Sequence, residues 1–221
     1  MSNTIVITGA NRGIGLAMAK LWKARGERVI ATCREPSRVL QELGVEVIDG
    51  IDVSREDGVI NLRSGLGNTK VDMLFNNAGM MQNETVEQMD YNQIREQFEV
   101  NTLGPLRVTL GLLDHLHEGS KVGLMTSRMG SISDNTSGGR YGYRISKAGL
   151  NAAGKSLAHD LKPQGIAVAI LHPGWVQTDM TGNSGNLTAE QAAANLIERM
   201  DELNLDNTGT FWHSDGSVLP W

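Results

Sequence analysis

"TGANRGIG", residues 8–15, follows the apolar run "TIVIT" (4–8) and passes straight into a helical pattern over 13–26. Its glycines stand at 9, 13 and 15, a G-x-x-x-G-x-G spacing. Gly9 permits a tight turn. Gly13 and Gly15 let an anionic ligand approach the backbone at a helix N-terminus, where free N–H groups and the macrodipole favour negative charge. Asn11, Arg12 and Ile14 complete the contact set of this loop. No Gly-Lys-Ser/Thr follows, which excludes the phosphate loop of nucleotide hydrolases. A strand–helix turn can need glycine for its own geometry. Its position after the first strand points instead to a bound diphosphate, that of a dinucleotide.

Outward from that loop, short apolar runs alternate with helical patterns. "RVIATC" (28–33), "VEVI" (45–48), "VDMLF" (71–75), "KVGLM" (121–125) and "IAVAIL" (166–171) read as strands, and "GTFW" (209–212) as a last one. Helical stretches lie at 13–26, 91–116, 144–161 and 188–203, the first with Leu16, Ala19 and Leu21 or Trp22 on one side. Pro105 predicts a kink early in the second of these. Continuous β-branched runs between helices imply a parallel sheet covered on both faces. The expected architecture is α/β, a Rossmann fold with a doubly wound parallel sheet, in one domain over residues 1–221.

A chain of 221 residues buries roughly 70–75% of its unfolded surface, so it needs no disulfides or structural metal. Cys33 is the one cysteine, and no secretory leader is evident, so a cytoplasmic location is expected. No apolar run approaches the ~20 residues of a membrane span. The net charge of −5 and the lack of a basic run exclude nucleic acid as the main partner. Small molecules remain. His115, His117, His159, His172 and His213 show no metal-ligand spacing, so no metal site is expected.

The end of the second strand, "TCRE", bears on which dinucleotide binds. An acidic residue there would hold a ribose 2′-hydroxyl, as in NAD sites. Here Cys33 is followed by Arg34, whose fork suits a 2′-phosphate. Arg12 could add a second guanidinium, whereas Glu35, if turned inward, would favour NAD. The expected cofactor is NADP(H), with NAD(H) the lesser choice.

Further along, "RYGYRISKAGLN" (140–151) sets two tyrosines before one lysine. On a helix, positions four apart share a face, so Tyr143 pairs with Lys147 while Tyr141 pairs with Ile145. A free phenol titrates near ~10, and a cation beside it lowers that value. Tyr143 is therefore the candidate acid–base, acidified by Lys147.

Together, "TGANRGIG", "NNAG" (76–79), Asn101 in "VNTLGP", Ser127 in "TSRMGS", "YRISK" (143–147) and "PGWVQTD" (173–179) resemble the short-chain dehydrogenase/reductase family. Within it, "TCREP", the 127–151 region and "FWHSDGSVLPW" look most like small carbonyl reductases related to C-factor and sniffer. The resemblance runs from residue 8 to 179. It implies an oxidoreductase that interconverts a carbonyl and an alcohol. Tyr143, Lys147, Ser127 and Asn101 would be the catalytic set, with Lys147 also on the nicotinamide ribose and Asn101 supporting a water chain. Ser131 and Ser133 lie nearby, but Ser127 stands at the strand's end. Asp52 and Val53 would line the adenine. Asn76, Ala78 and Gly79 would border the adenosine, and Pro173, Gly174, Val176 and Thr178 the nicotinamide. Relatives pair through the helices near 91–116 and 144–161, where Ala148, Ala152 and Ala153 permit close approach, so a homodimer or homotetramer is expected. The alternative is a nucleotide-sensing or signalling protein of the C-factor type.

Overall fold

The structure is a computed structural model that describes residues 2–221. Seven parallel strands form one sheet in the order β3-β2-β1-β4-β5-β6-β7. They are β1 (Thr4–Thr8), β2 (Arg28–Thr32), β3 (Glu46–Ile48), β4 (Met73–Asn76), β5 (Lys121–Met125), β6 (Ala167–His172) and β7 (Phe211–His213). Successive side chains point to opposite faces, and both faces are packed. Ile5, Ile7 and Phe75 meet one core with Met18 and Trp22, while Val6, Leu74 and Leu124 meet the other with Leu150 and Leu157. That double burial is why the strands read as unbroken apolar runs. This is the doubly wound Rossmann architecture. The strand order reverses between β1 and β4, and a crevice opens beyond their C-terminal ends.

The helices are α1 (Gly13–Ala24), α2 (Arg38–Glu42), α3 (Glu56–Leu66), α4 (Tyr91–Phe98), α5 (Gly104–Gly111), α6 (Tyr141–Leu161) and α7 (Ala189–Glu202). On α1, Trp22 and Met18 are buried while Leu16 and Leu21 are only partly covered. Helices α2 and α3 escape a periodicity reading. The first has five residues, and the second carries Gly58 and Gly65 amid few apolar positions. The expected helix over 91–116 is broken. A π segment, Glu99–Leu103, interrupts the α-winding between α4 and α5, and Pro105, which has no N–H to donate, falls two residues after it in the first turn of α5.

Helix α6 starts at Tyr141, earlier than the expected residue 144, because Gly138, Gly139 and Arg140 all take positive φ and turn the chain into it. Its buried stripe changes character along its length. Tyr143, Ser146, Lys147 and Asn151 occupy the first half, while Leu157, Ala158 and Leu161 occupy the second. The polar half reaches past the strand ends, and the apolar half packs on the sheet. Gly142 and Gly149 bring it against α4 and the π segment. Ala148 and Ala153 are partly covered and Ala152 is exposed. No described helix is long and apolar enough to cross a membrane.

Candidate active site

The glycine loop closes the crevice on one side. Gly9 has φ 66°, and a β-carbon there would lie 2.8 Å from Ala78 Cα. Gly13 has φ 55° and faces the Thr178 methyl group. Gly15 also has a packing role inside the loop. A β-carbon there would stand 2.5 Å from Asn77 Nδ2 and 2.6 Å from Gly9 O, so this glycine serves close internal packing. Asn77, within "NNAG" but absent from the sequence-based set, braces the loop: its Nδ2 donates to Thr8 O and Gly9 O, both at 3.0 Å. Thr8 Oγ1 in turn accepts from the N–H groups of Asn77 and Ala78. Asn76 turns away, its Nδ2 donating to Thr109 on α5 at 3.1 Å, so only its backbone borders the crevice.

Across the crevice, Tyr143 and Lys147 sit side by side on α6, 8% and 3% exposed. The Lys147 ammonium lies 5.7 Å from the centre of the Tyr143 ring and donates to Met125 O, at the end of β5, at 2.8 Å. The two groups are adjacent, as helical spacing predicts. Their electrostatics differ from the expectation. Burial raises the phenol above its ordinary 10.0, with the Ser127 hydroxyl and the Arg140 charge pulling it partly back. Burial likewise depresses Lys147 from 10.5 to about 7. Desolvation therefore outweighs the opposing pull of Ser127 and Arg140, and the chain alone holds a protonated phenol beside a weakened ammonium. Ser127 follows β5 and is buried; its Oγ accepts from Met129 N at 3.1 Å, which leaves its O–H free to donate.

Asn101 lies in the π segment, fully buried. Single π turns often accompany functional sites. Its Oδ1 accepts from Met80 N and its Nδ2 donates to Met80 O, each at 2.8 Å, with a further bond to Ser146 Oγ at 3.0 Å. The side chain thus clamps the Met80 peptide. That clamp begins a strap, Met80–Glu84. Gln82 N donates to Gln97 Oε1 at 2.9 Å. Glu84, 1% exposed, accepts from Gly142 N at 3.1 Å and from Gln97 Nε2, and its carbonyl accepts from Arg140 N at 2.8 Å. Alternate residues of the strap are bonded inward, tying the segment after Gly79 to the first turn of the tyrosine helix. Glu84 and Gln97 carry no motif, and only the folded contacts reveal them.

A short chain dehydrogenase family model matches residues 3–189. The chain belongs to that family. A 1-hydroxy-2-glutathionyl-2-methyl-3-butene dehydrogenase of Rhodococcus is 44% identical over 99% of this chain and 100% of its own. The C-signal of Myxococcus xanthus is 44% identical over 68% of this chain and 93% of its own. Among solved structures, the carbonyl reductase Sniffer of D. melanogaster superposes with a TM-score of 0.91 at 31% identity, covering all of both chains. An NADPH-bound carbonyl reductase from chicken fatty liver gives 0.90 at 26%, covering 100% of this chain and 99% of that one. This short-chain dehydrogenase is an oxidoreductase similar in build to those carbonyl reductases.

The residues present fit a dinucleotide. Gly79 is exposed, and a β-carbon there would press on Asn101 Oδ1 at 3.2 Å and touch Lys147 Nζ at 3.6 Å, so its bare backbone leaves room beside the ammonium. Lys147 has one acceptor among the described residues for three N–H donors, leaving two for ribose hydroxyls. Cys33 is buried, while Arg34 and Glu35 are exposed. Arg12 forms an exposed ion pair with Asp179 at 2.9 Å, linking the glycine loop to the loop after β6. Asn11 Oδ1 accepts from Ser37 N and braces the segment after β2. One Asp52 oxygen caps Ser54, accepting from its N–H at 3.0 Å and its hydroxyl at 2.7 Å, and Val53 packs beneath Gly104. After β6, Pro173 and Gly174 are partly covered, Val176 is buried and bridges to Leu187, and Thr178 faces Gly13. His172 sits edge-on to His213 at 5.0 Å and is held neutral by burial, titrating at about 3. Among the described residues no group of three His, Cys, Asp or Glu side chains is placed to hold a metal. Trp175 is 59% exposed, and Trp221 stacks on Phe211 at 5.4 Å.

The strap makes a measurable demand on stability. Glu84→Ala orphans the buried Gly142 N–H, at about 1–3 kcal/mol, and strips Gln97 Nε2 of one of its two acceptors, leaving Gln93 O, at about 1 kcal/mol more. Urea unfolding should show a loss of about 2–4 kcal/mol, with Glu84→Gln recovering part of it. Wild-type stability in the Ala variant would remove the strap's role.

Proposed function

We propose that the protein is an NADP(H)-dependent carbonyl reductase, working on an aldehyde or ketone or on the corresponding alcohol. The observation that carries this is the buried Tyr143 beside Lys147 on one face of α6, the ammonium lying against the exposed backbone of Gly79. The nicotinamide, when bound, supplies or takes up the hydride. Gly9, Asn11, Arg12, Gly13, Ile14 and Gly15 would hold the diphosphate side, with Asp52, Val53, Asn76, Ala78 and Gly79 along the adenosine. Pro173, Gly174, Val176 and Thr178 would border the nicotinamide. Lys147 would bind the ribose hydroxyls through its two free N–H groups.

A carbonyl oxygen seated between Tyr143 and Ser127 receives two donors. Ser127 donates the hydrogen left free by its bond from Met129, fixing the oxygen's angle. Tyr143 transfers its proton as negative charge develops there. The raised pKa suits this direction, because at neutral pH the phenol is already in its acid form. Alcohol oxidation needs the opposite state. Asn101 and Glu84 act through the strap, keeping Gly79 and the first turn of α6 in register.

NADP is preferred over NAD on the strength of Arg34. It stands exposed just past the buried end of β2 and has no side-chain partner among the described residues, whereas Arg12 is drawn to Asp179. Structural neighbours with NADPH or NADP bound support the same choice. The likeness to C-signal keeps a second reading open, in which the fold serves signalling. Cofactor binding without turnover of any aldehyde, ketone or quinone would favour it.

Tyr143→Phe should retain NADPH binding and lose nearly all turnover, followed as NADPH oxidation at 340 nm. In the wild type, oxidation should climb between pH 7 and 10, by up to about tenfold per unit, while reduction does not climb; a parallel climb would contradict a protonated resting phenol. Arg34→Asp should lower the NADPH-to-NADH efficiency ratio about ten- to hundredfold, since a charge-assisted hydrogen bond is worth about 1.5–3 kcal/mol. Wild-type preference for NADH would refute the cofactor assignment.

A further inference from the structure

We infer that Arg140 binds a carboxylate on the substrate, so that the preferred substrates are carbonyl or alcohol compounds bearing an anionic group. The inference rests on the reading of Tyr143 as the reacting residue and adds the substrate's charge class.

Arg140 immediately precedes α6 in the left-handed conformation, φ 51° and ψ 49°. The two glycines before it take similar angles at no steric cost. At residue 140 a bulky side chain is held where glycine would relax. The backbone is fixed by the Arg140 N–H bond to Glu84 O, and the guanidinium by weak contacts with neutral atoms: Nε to Asn83 Oδ1 at 3.2 Å and Nη1 beside Met129 Sδ at 3.9 Å. No carboxylate among the described residues pairs with it. Arg12, Arg25, Arg28, Arg38, Arg55 and Arg63 all have acidic partners, whereas Arg140 shares the lack of one with Arg34, Arg95 and Arg144. The nearby carboxylates are already used. Asp134 pairs with Arg128, and Glu84 is buried behind the strap on Gln97 and Gly142.

Arg144 adds a third guanidinium to this rim and spends its donors on Ser137 Oγ and on the carbonyls of Gly138, Gly139 and Met129. A chain of net charge −5 thus sets three arginines against two carboxylates at the mouth of one crevice. Such local inversion draws an anion toward the site. Met129 links Arg140 to Ser127, its N–H donating to Ser127 Oγ at 3.1 Å while its Sδ lies 3.9 Å from Arg140 Nη1, so the guanidinium stands beside the cleft that holds the reacting oxygen. Its charge reaches the Tyr143 phenol. One planar fork with no competing acid suits a single carboxylate, held by two parallel N–H bonds.

The test compares 4-carboxybenzaldehyde with benzaldehyde at fixed NADPH. Wild type should favour the carboxylate at least about tenfold in kcat/KM, and Arg140→Asn should lower that ratio by a similar factor. Asparagine accepts the left-handed backbone, so the change removes charge without forcing the turn. Any shift in Tyr143 acidity affects both aldehydes and cancels in the ratio. Arg140→Lys should keep part of the preference. Equal efficiencies in wild type, or an unchanged ratio in Arg140→Asn, would overturn the inference while leaving the reductase reading intact. If neither aldehyde turns over, the reductase reading fails, and calorimetric binding of 4-(hydroxymethyl)benzoate decides separately. Binding lost in Arg140→Asn supports the site, and no binding to wild type overturns it.

Discussion

A lysine taken out of water next to a phenol is the constraint around which this crevice is built. Lys147 is 3% exposed with a single protein acceptor, Met125 O. Burying an ammonium with two donors unspent is costly, and the group responds by titrating at about 7. Its position follows from the fold. The stripe on α6 turns from apolar to polar where the helix passes the end of β5, so the residues that anchor the helix and those that face the crevice share one face.

The same arrangement explains why so much hydrogen bonding converges on a short strap. Tyr143 lies two residues into α6, where helix ends fray unless their free N–H groups are satisfied. Glu84 supplies an acceptor to Gly142, and Asn101 and Gln97 hold the strap that carries it. Packing at Gly142 and Gly149 brings α4 and the π segment close enough for those bonds. The position of Tyr143 therefore rests on residues of the strap, α4 and the π segment as well as of α6 itself.

Much of this is legible in the amino-acid sequence because it depends on local periodicity. Strand runs such as "TIVIT" record burial on two faces, the glycine spacing records a turn, and Tyr143 and Lys147 record a helical face. What escapes depends on distance. Arg12 meets Asp179 from the far end of the chain, Glu84 is buried by folds of α4 and α6, and the break in the long helix is a π segment with no sequence signature of its own. The sign of the Tyr143 shift escapes for the same reason. Spacing shows that a cation adjoins the phenol, but only depth of burial shows that desolvation raises its pKa. Asn77 was within reach, as an amide directly following a strand and opposite the glycine loop.

The most direct test is the titration of Lys147 itself, by NMR of protein labelled with carbon-13 at the lysine ε position and assigned with Lys147→Met. A buried ammonium stripped of water should titrate with a midpoint at about 7 in the protein alone. A midpoint at the ordinary 10.5 would mean that Lys147 is solvated, and that Tyr143 does not rest protonated in a dry cleft.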